Sequence, residues 1–448
     1  MTSSAVVAPI LSTIIESLDH EGRGVSHVDG KAVFVEGALP REFVEYLPSR
    51  KKKNFETAKL TRLIRESTDR VVPKCRFYDI CGGCAQQHAD PRLQVAAKQR
   101  VLEDNLARIG KVVPERILPP IYAAQWAYRH RARMSVNYVA KKGGVLVGFR
   151  EKKSSYVADM HSCEVLAGGL GRLIDPLREL MSSLEMRNRI PQIEVAVGEN
   201  VTALVLRILE PLPPQDEAKL RAFADAHAVS HRLQWWLQVK GPETAVPWYP
   251  LDAPELTYLL PEFELEINFR PTEFTQVNHQ VNRLMVYRAM GLLDPLQGET
   301  IADLFCGLGN FSLPIARRGA HVIGVEGSEA LTTRAAENAA RNGLSALSHF
   351  FAADLYTDQE TALKKIPPAS KMLIDPPRDG ALEVCRLLGP ELRPELKRIV
   401  YVSCSPGTLA RDAGELVNAQ GFVLKAAGVV NMFPHTAHVE SIALFERE

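Results

Sequence analysis

Ile301-Ala302-Asp303-Leu304-Phe305-Cys306-Gly307-Leu308-Gly309-Asn310 is the stretch that decides how this chain folds. A short apolar run ends in a glycine-bearing loop, and helical spacing follows over 311–318. A strand that passes through such a loop into a helix brings bare backbone to the carboxyl end of a parallel sheet, where α/β proteins bind ligands. The third glycine of the dinucleotide fingerprint is missing and the loop is shorter, so that cofactor class is not indicated. The next apolar run, 321–325, ends in Glu326, a carboxylate placed to accept hydrogen bonds from both hydroxyls of a ribose. Asp354, after a further apolar stretch, is placed to meet an adenine amino group.

Outward from the loop, strands are expected at 300–305, 321–325, 372–374 and 398–403, with helices at 276–290, 311–318, 330–342, 381–388 and 407–419. That alternation makes 271–448 an α/β domain with a doubly wound, mostly parallel sheet. Upstream, 1–66 reads as a small β-barrel of the OB type, with a plain structural β-unit as the alternative. It shows an apolar run at 10–15, an Asp29-Gly30 hairpin turn before a strand at 31–35, and alternation at 42–46 and 59–64, enough for five strands. Between them, 67–270 reads as α+β. Its helix at 90–110 is introduced by Asp90-Pro91, presents Leu93, Ala97, Val101, Leu102 and Leu106, stops at Gly110, and is expected to pack on the catalytic domain. Helices are also expected near 174–184 and 214–227, and strands at 193–197 and 202–208.

The 448 residues carry 46% hydrophobic and 24% charged residues with a net charge of +1, the balance of a soluble multi-domain protein. A nucleic-acid partner therefore requires a local basic surface. Residues 41–76 hold eleven Lys/Arg against five Asp/Glu, and 125–153 hold eight against one with Trp126, Tyr128, Tyr138 and Phe149 interleaved. Either run could equally be a solvated face. Seven unevenly spread cysteines argue against a secreted disulfide framework, the stretch 5–15 lacks a signal-peptide pattern, and no segment has the length of a membrane span. A cytoplasmic protein with no membrane partner is expected.

The glycine loop, Glu326 and Asp354 together resemble the S-adenosylmethionine (SAM) site of class I methyltransferases. The turn Asp375-Pro376-Pro377-Arg378 lacks both the aromatic that amino-group methyltransferases place after the prolines and the cysteine of RNA cytosine-C5 methyltransferases. The chain offers instead Cys404, in Tyr401-Val402-Ser403-Cys404-Ser405-Pro406, directly after the next strand. A lone cysteine is often a small buried hydrophobe; at the active edge of such a sheet it reads as a nucleophile. Uracil C5 needs one, because thiolate attack on C6 makes C5 an enolate carbon able to take a methyl group. A base must then remove the C5 proton. Glu440, at the end of His435-Thr436-Ala437-His438-Val439-Glu440, is the candidate, with His435 or His438 next.

These motifs resemble, over essentially the whole chain, the RNA uracil-C5 methyltransferase family, whose bacterial members act on tRNA or 23S rRNA. The resemblance places cofactor contacts on Gln276 (in Phe274-Thr275-Gln276-Val277-Asn278), Phe305, Asn310, Glu326, Asp354 and Asp375. It places the nucleophile on Cys404 and the base on Glu440. The family often has Asn where this chain has Ser405, a mild departure that leaves the thiol untouched.

A second cysteine set stands apart: Cys75, Cys81, Cys84 around Gly82-Gly83, and a remote Cys163. Spacing alone leaves an iron–sulfur cluster, a zinc ion and unligated thiols open. The set is similar to that of the iron–sulfur-bearing rRNA members, which implies a [4Fe-4S] cluster with a structural role, an N-terminal TRAM-type barrel and a 23S rRNA substrate, with no obligate protein partner. Rival readings are a tRNA uracil-C5 or RNA cytosine-C5 methyltransferase, and a non-catalytic RNA-binding assembly factor.

Overall fold

A computed structural model describes residues 10–448; residues 1–9, with the start of the apolar stretch 5–15 and of the first expected unit, lie outside the described residues. The first sheet holds six strands where five were expected: Leu11–Ile14, Ser17–Leu18, Gly24–Val28, Lys31–Glu36, Phe43–Lys51 and Phe55–Arg65. The extra strand, two residues long, pairs only at Ser17–Val25 and Leu18–Gly24, too short to leave an alternation. Asp29 and Gly30 both have positive φ, as a tight hairpin turn requires. Val33, Val35, Val44, Tyr46 and Ala58 form the core of this unit. Its buried Glu42 accepts Arg70 Nε at 2.5 Å and the Leu39 amide at 2.7 Å, which ties the sheet to the segment that follows.

The second sheet runs in the order Val246–Tyr249, Leu233–Gln238, Thr202–Arg207, Gln192–Val197, Arg131–Val139, Gly144–Gly148. Ile193, Val195, Leu204, Leu206 and Trp235 on one face share a core with Leu177 and Met181 of the helix Ile174–Ser183 and Leu220 of the helix Pro214–Ala226.

The third sheet has eight strands. Ser348–Ala352, His321–Glu326, Thr300–Leu304, Lys371–Ile374 and Arg398–Ser403 are parallel neighbours; Glu440–Glu446 and Val423–Val430 add an antiparallel edge, and Arg116–Ile117 joins beyond them. The last two long strands were not expected, because residues buried on both faces leave an unbroken apolar run with no period of two. The helix expected at 276–290 is His279–Leu293: the Asn278 side chain accepts the Val281 amide at 3.2 Å and caps it there, leaving 275–277 outside the helix. Pro91–Asn105 is the early helix, closing in a wider turn Leu106–Gly110. Leu102 and Leu106 lie in one core with Tyr401, Leu409 and Ala413. A Cβ on Gly110 would come within 2.4 Å of the Ala410 carbonyl oxygen, so glycine lets the two helices meet. No helix among the described residues is long and apolar enough to cross a membrane.

Candidate active site and cysteine chamber

Three parallel strands deliver Phe305, Glu326 and Asp375 to one end of the sheet. Phe305 stands at φ 62° and Gly307 at φ 53°, so the chain turns sharply off the strand. For a residue with a side chain that geometry costs on the order of 1–3 kcal/mol. Glu326 accepts the Gly307 amide at 3.2 Å and the Ser328 amide at 3.1 Å, folding the loop over the neighbouring strand tip. A Cβ on Gly307 or on Gly327 would meet no atom within 4 Å, so the loop borders open space.

Asn310 is held from two sides. Its amide pairs reciprocally with Asn282 at 2.8 and 3.0 Å, and Tyr258 Oη donates to its Oδ1 at 3.0 Å. Neither Asn282 nor Tyr258 was singled out in the sequence; the only trace was an asparagine one turn beyond the Asn278 cap. Gln276 lies in a segment fixed from the second sheet: Arg131 donates to the carbonyls of Pro271 and Glu273, and the His130 amide to that of Val277 at 2.8 Å. Asp354 stands exposed just beyond the neighbouring strand tip, beside Glu326. Its oxygens take the amides of Tyr356 and Thr357 and the Thr357 hydroxyl at 2.7–3.1 Å, which hold its carboxyl below the usual range. Burial raises Asp375 to about 7. Buried Asp303 behind it, receiving the Ser312 hydroxyl, is also raised to about 7, by burial first and then by Asp375 and Glu326.

Ser403 pairs with Ser441 across the antiparallel edge, which sets Cys404 and Glu440 at adjoining positions where the two strands part. Burial pushes the half-buried Cys404 thiol up to about 11, with the Glu440 and Asp375 carboxylates adding and Arg378 opposing. Glu440 is 2% exposed, and burial, then Asp375, lifts it well above the carboxylate range against Arg378.

His435 stacks on Trp126 at 4.0 Å, its amide donates to Gln94 Oε1 at 2.8 Å, and its carbonyl accepts the amides of Ala85 and Gln86. Burial lowers it to about 4, so it is a neutral wedge between the cysteine segment and the catalytic sheet. His438 is also lowered, by burial first and then by Arg378, Lys98 and Arg129. Lys98, 2% exposed, donates to Asn431 Oδ1 and the Phe433 carbonyl, each at 2.8 Å, and pins the start of the same loop.

Cys75, Cys81, Cys84 and Cys163 are free thiols lining one cavity of about 560 Å³. Burial and then neighbouring thiols raise Cys84 to about 11, and Gly83 N–H reaches Cys81 Sγ at 3.4 Å. Among the described residues, no three His, Cys, Asp or Glu side chains form a group that could hold one metal ion. Arg378, Phe433 and His438 complete the cavity wall, so the cysteine chamber abuts the loop that leads to Glu440.

A family model described as tRNA (Uracil-5-)-methyltransferase matches residues 262–448. In Nitrosospira multiformis, a protein named 23S rRNA (uracil(1939)-C(5))-methyltransferase RlmD is 59% identical over 443 residues, covering 99% of each chain. The chain belongs to the RlmD family. An RlmD of Azoarcus is 56% identical over 97% of this chain and 99% of its own. The RlmD-family fold is also seen in the Pyrococcus abyssi tRNA (uracil-54, C5)-methyltransferase solved with S-adenosyl-L-homocysteine, with a TM-score of 0.72 at 23% identity over 97% of this chain and all of that one.

Proposed function

We propose that this protein transfers the methyl group of SAM to carbon 5 of a uridine in 23S rRNA, the residue numbered 1939 in the names of its relatives. The observation that carries the chemistry is Cys404 set beside Glu440 where two paired strands part, at the same end of the sheet as the glycine loop and one strand away from it. SAM, bound along Gln276, Phe305, Asn310, Glu326, Asp354 and Asp375, would supply an electrophilic methyl on a sulfonium. The target base must leave its stack to reach the thiol. Cys404 would give up its proton to solvent and bond through its thiolate to C6, C5 would take the methyl group with S-adenosyl-L-homocysteine as the leaving group, Glu440 would remove the C5 proton, and the C6–S bond would break to return the thiolate. Burial makes the ionised Glu440 carboxylate a strong base, since the neutral acid it becomes is the form burial favours; the same burial opposes the Cys404 thiolate, which Arg378 stabilises.

The four free thiols on one wide cavity support a [4Fe-4S] cluster on Cys75, Cys81, Cys84 and Cys163. Three close cysteines with a remote fourth, in place of two close pairs, favour a polynuclear guest over zinc. We assign 1–66 as a TRAM-like RNA-binding barrel, 67–270 as the cluster-bearing unit and 271–448 as the methyltransferase domain of a cytoplasmic enzyme. Anaerobic purification should yield bound iron and sulfide that Cys81→Ser loses. The test of function is tritium release from 23S rRNA carrying 5-tritiated uridine, with SAM. Release at one mapped uridine is expected; SAM-dependent labelling of tRNA alone would move the substrate to tRNA.

A further inference from the structure

One face of the second sheet is buried under helices, and the opposite face carries a polar groove. Gln192 lies opposite Arg207, Arg207 beside Gln238, and Glu194 opposite Arg133, so the strand period of two sets all five on that face. With Lys240 they line a cavity of about 460 Å³. Glu194 is already engaged by Arg133 Nε and Gln192 Nε2, each at 2.9 Å. Arg207 is not: its Nε is buried without a hydrogen-bond partner, and so is Oε1 of Gln238, a residue 4% exposed. Three cations thus face one carboxylate that is itself paired, and a buried guanidinium nitrogen left without an acceptor is costly.

We infer that this groove takes phosphate groups of the RNA chain beyond the target nucleotide, an inference that rests on the reading in "Proposed function". Two features favour RNA over a protein partner. The lining holds Val239 and Pro242 as its only large apolar residues, whereas protein interfaces are anchored by buried aliphatic or aromatic side chains. The same face also continues through Arg131, two residues from Arg133, onto the carbonyls of Pro271 and Glu273 just before Gln276, so a strand in the groove runs toward the cofactor segment. Guanidinium forks suit phosphate oxygens, and such contacts position a chain without reading its bases.

The test uses the full protein with Arg207→Gln and Lys240→Gln, singly and combined, and Arg207→Lys as the charge-keeping control. Methylation and equilibrium RNA binding are followed on 23S rRNA and on target-bearing fragments trimmed from both ends, across a salt series. Expected for Arg207→Gln on the long RNA are a KM raised about three- to tenfold, an unchanged kcat, and a salt slope smaller by about 0.7–0.9 per lost phosphate contact. On the shortest fragment still methylated the difference vanishes, and Arg207→Lys keeps the wild-type slope. Equal losses on long and short RNA would make Arg207 a structural residue, and an unchanged slope on long RNA would leave the groove to a protein or to nothing; either overturns the inference. If the wild type methylates no RNA, the functional reading fails on its own, and the binding slopes still decide the groove.

Discussion

The Cys404 thiol should be unusually inert in the free protein, and alkylation measures how inert. Burial and two carboxylates outweigh Arg378 and hold it at about 11, against an ordinary value of 9.0. At pH 8 the thiolate fraction is then about one in a thousand, roughly a hundredfold below an unperturbed thiol. Iodoacetamide labelling of the Cys404 peptide, followed by mass spectrometry apart from the other six cysteines, should rise with unit slope in pH through 9.5 without a plateau. Arg378→Gln removes the one stabilising charge and should move the curve to still higher pH. A plateau below pH 9 in the wild type would show that the pocket stabilises the thiolate at rest. The account of a nucleophile formed only in the substrate complex would then be wrong.

Glu440→Gln should lower turnover by about 10²–10⁴-fold while a protein–RNA adduct accumulates on denaturing gels; turnover near wild type without adduct would remove Glu440 as the base. Asn282→Ala deletes the reciprocal amide pair that orients Asn310; at about 1 kcal/mol per neutral hydrogen bond, KM for SAM should rise about 5- to 30-fold with kcat little changed. An unaltered KM for SAM would leave Asn310 without a cofactor role. Burial lowers Lys98 from 10.5 to about 7, so between those values the unfolded chain binds a proton that the folded one lacks. Stability from this site therefore rises with pH across that window and is lost as pH falls toward 7. Lys98→Met should gain on the wild type most at pH 7, and the difference should shrink by about 2 kcal/mol by pH 9; a pH-independent difference in unfolding free energy would place the folded pKa outside the window.

Local patterns account for the parts of this protein that the sequence by itself determined. A strand, a glycine loop and a helix are written in neighbouring residues, so the end of the sheet that gathers Phe305, Asn310 and Glu326 was legible, and so was the place of Cys404 after its strand. The four cysteines were legible as a set because cysteines are rare and their spacing is distinctive, and they do line one cavity. Tertiary structure alone decided the rest. Glu440 becomes the neighbour of Cys404 only through pairing of Arg398–Ser403 with Glu440–Glu446, a pairing that fully buried strands do not announce by alternation. Tyr258, on the antiparallel pair Leu256–Leu260 and Leu265–Phe269, and Asn282, on the helix His279–Leu293, converge on Asn310 with no sequence spacing to betray it. His435, second choice to Glu440 as the base, is wedged against Trp126 and Gln94, more than 300 positions away, a packing that no local spacing encodes. Which groups share a pocket, and hence which way each proton affinity moves, follows from long-range packing that no local motif encodes.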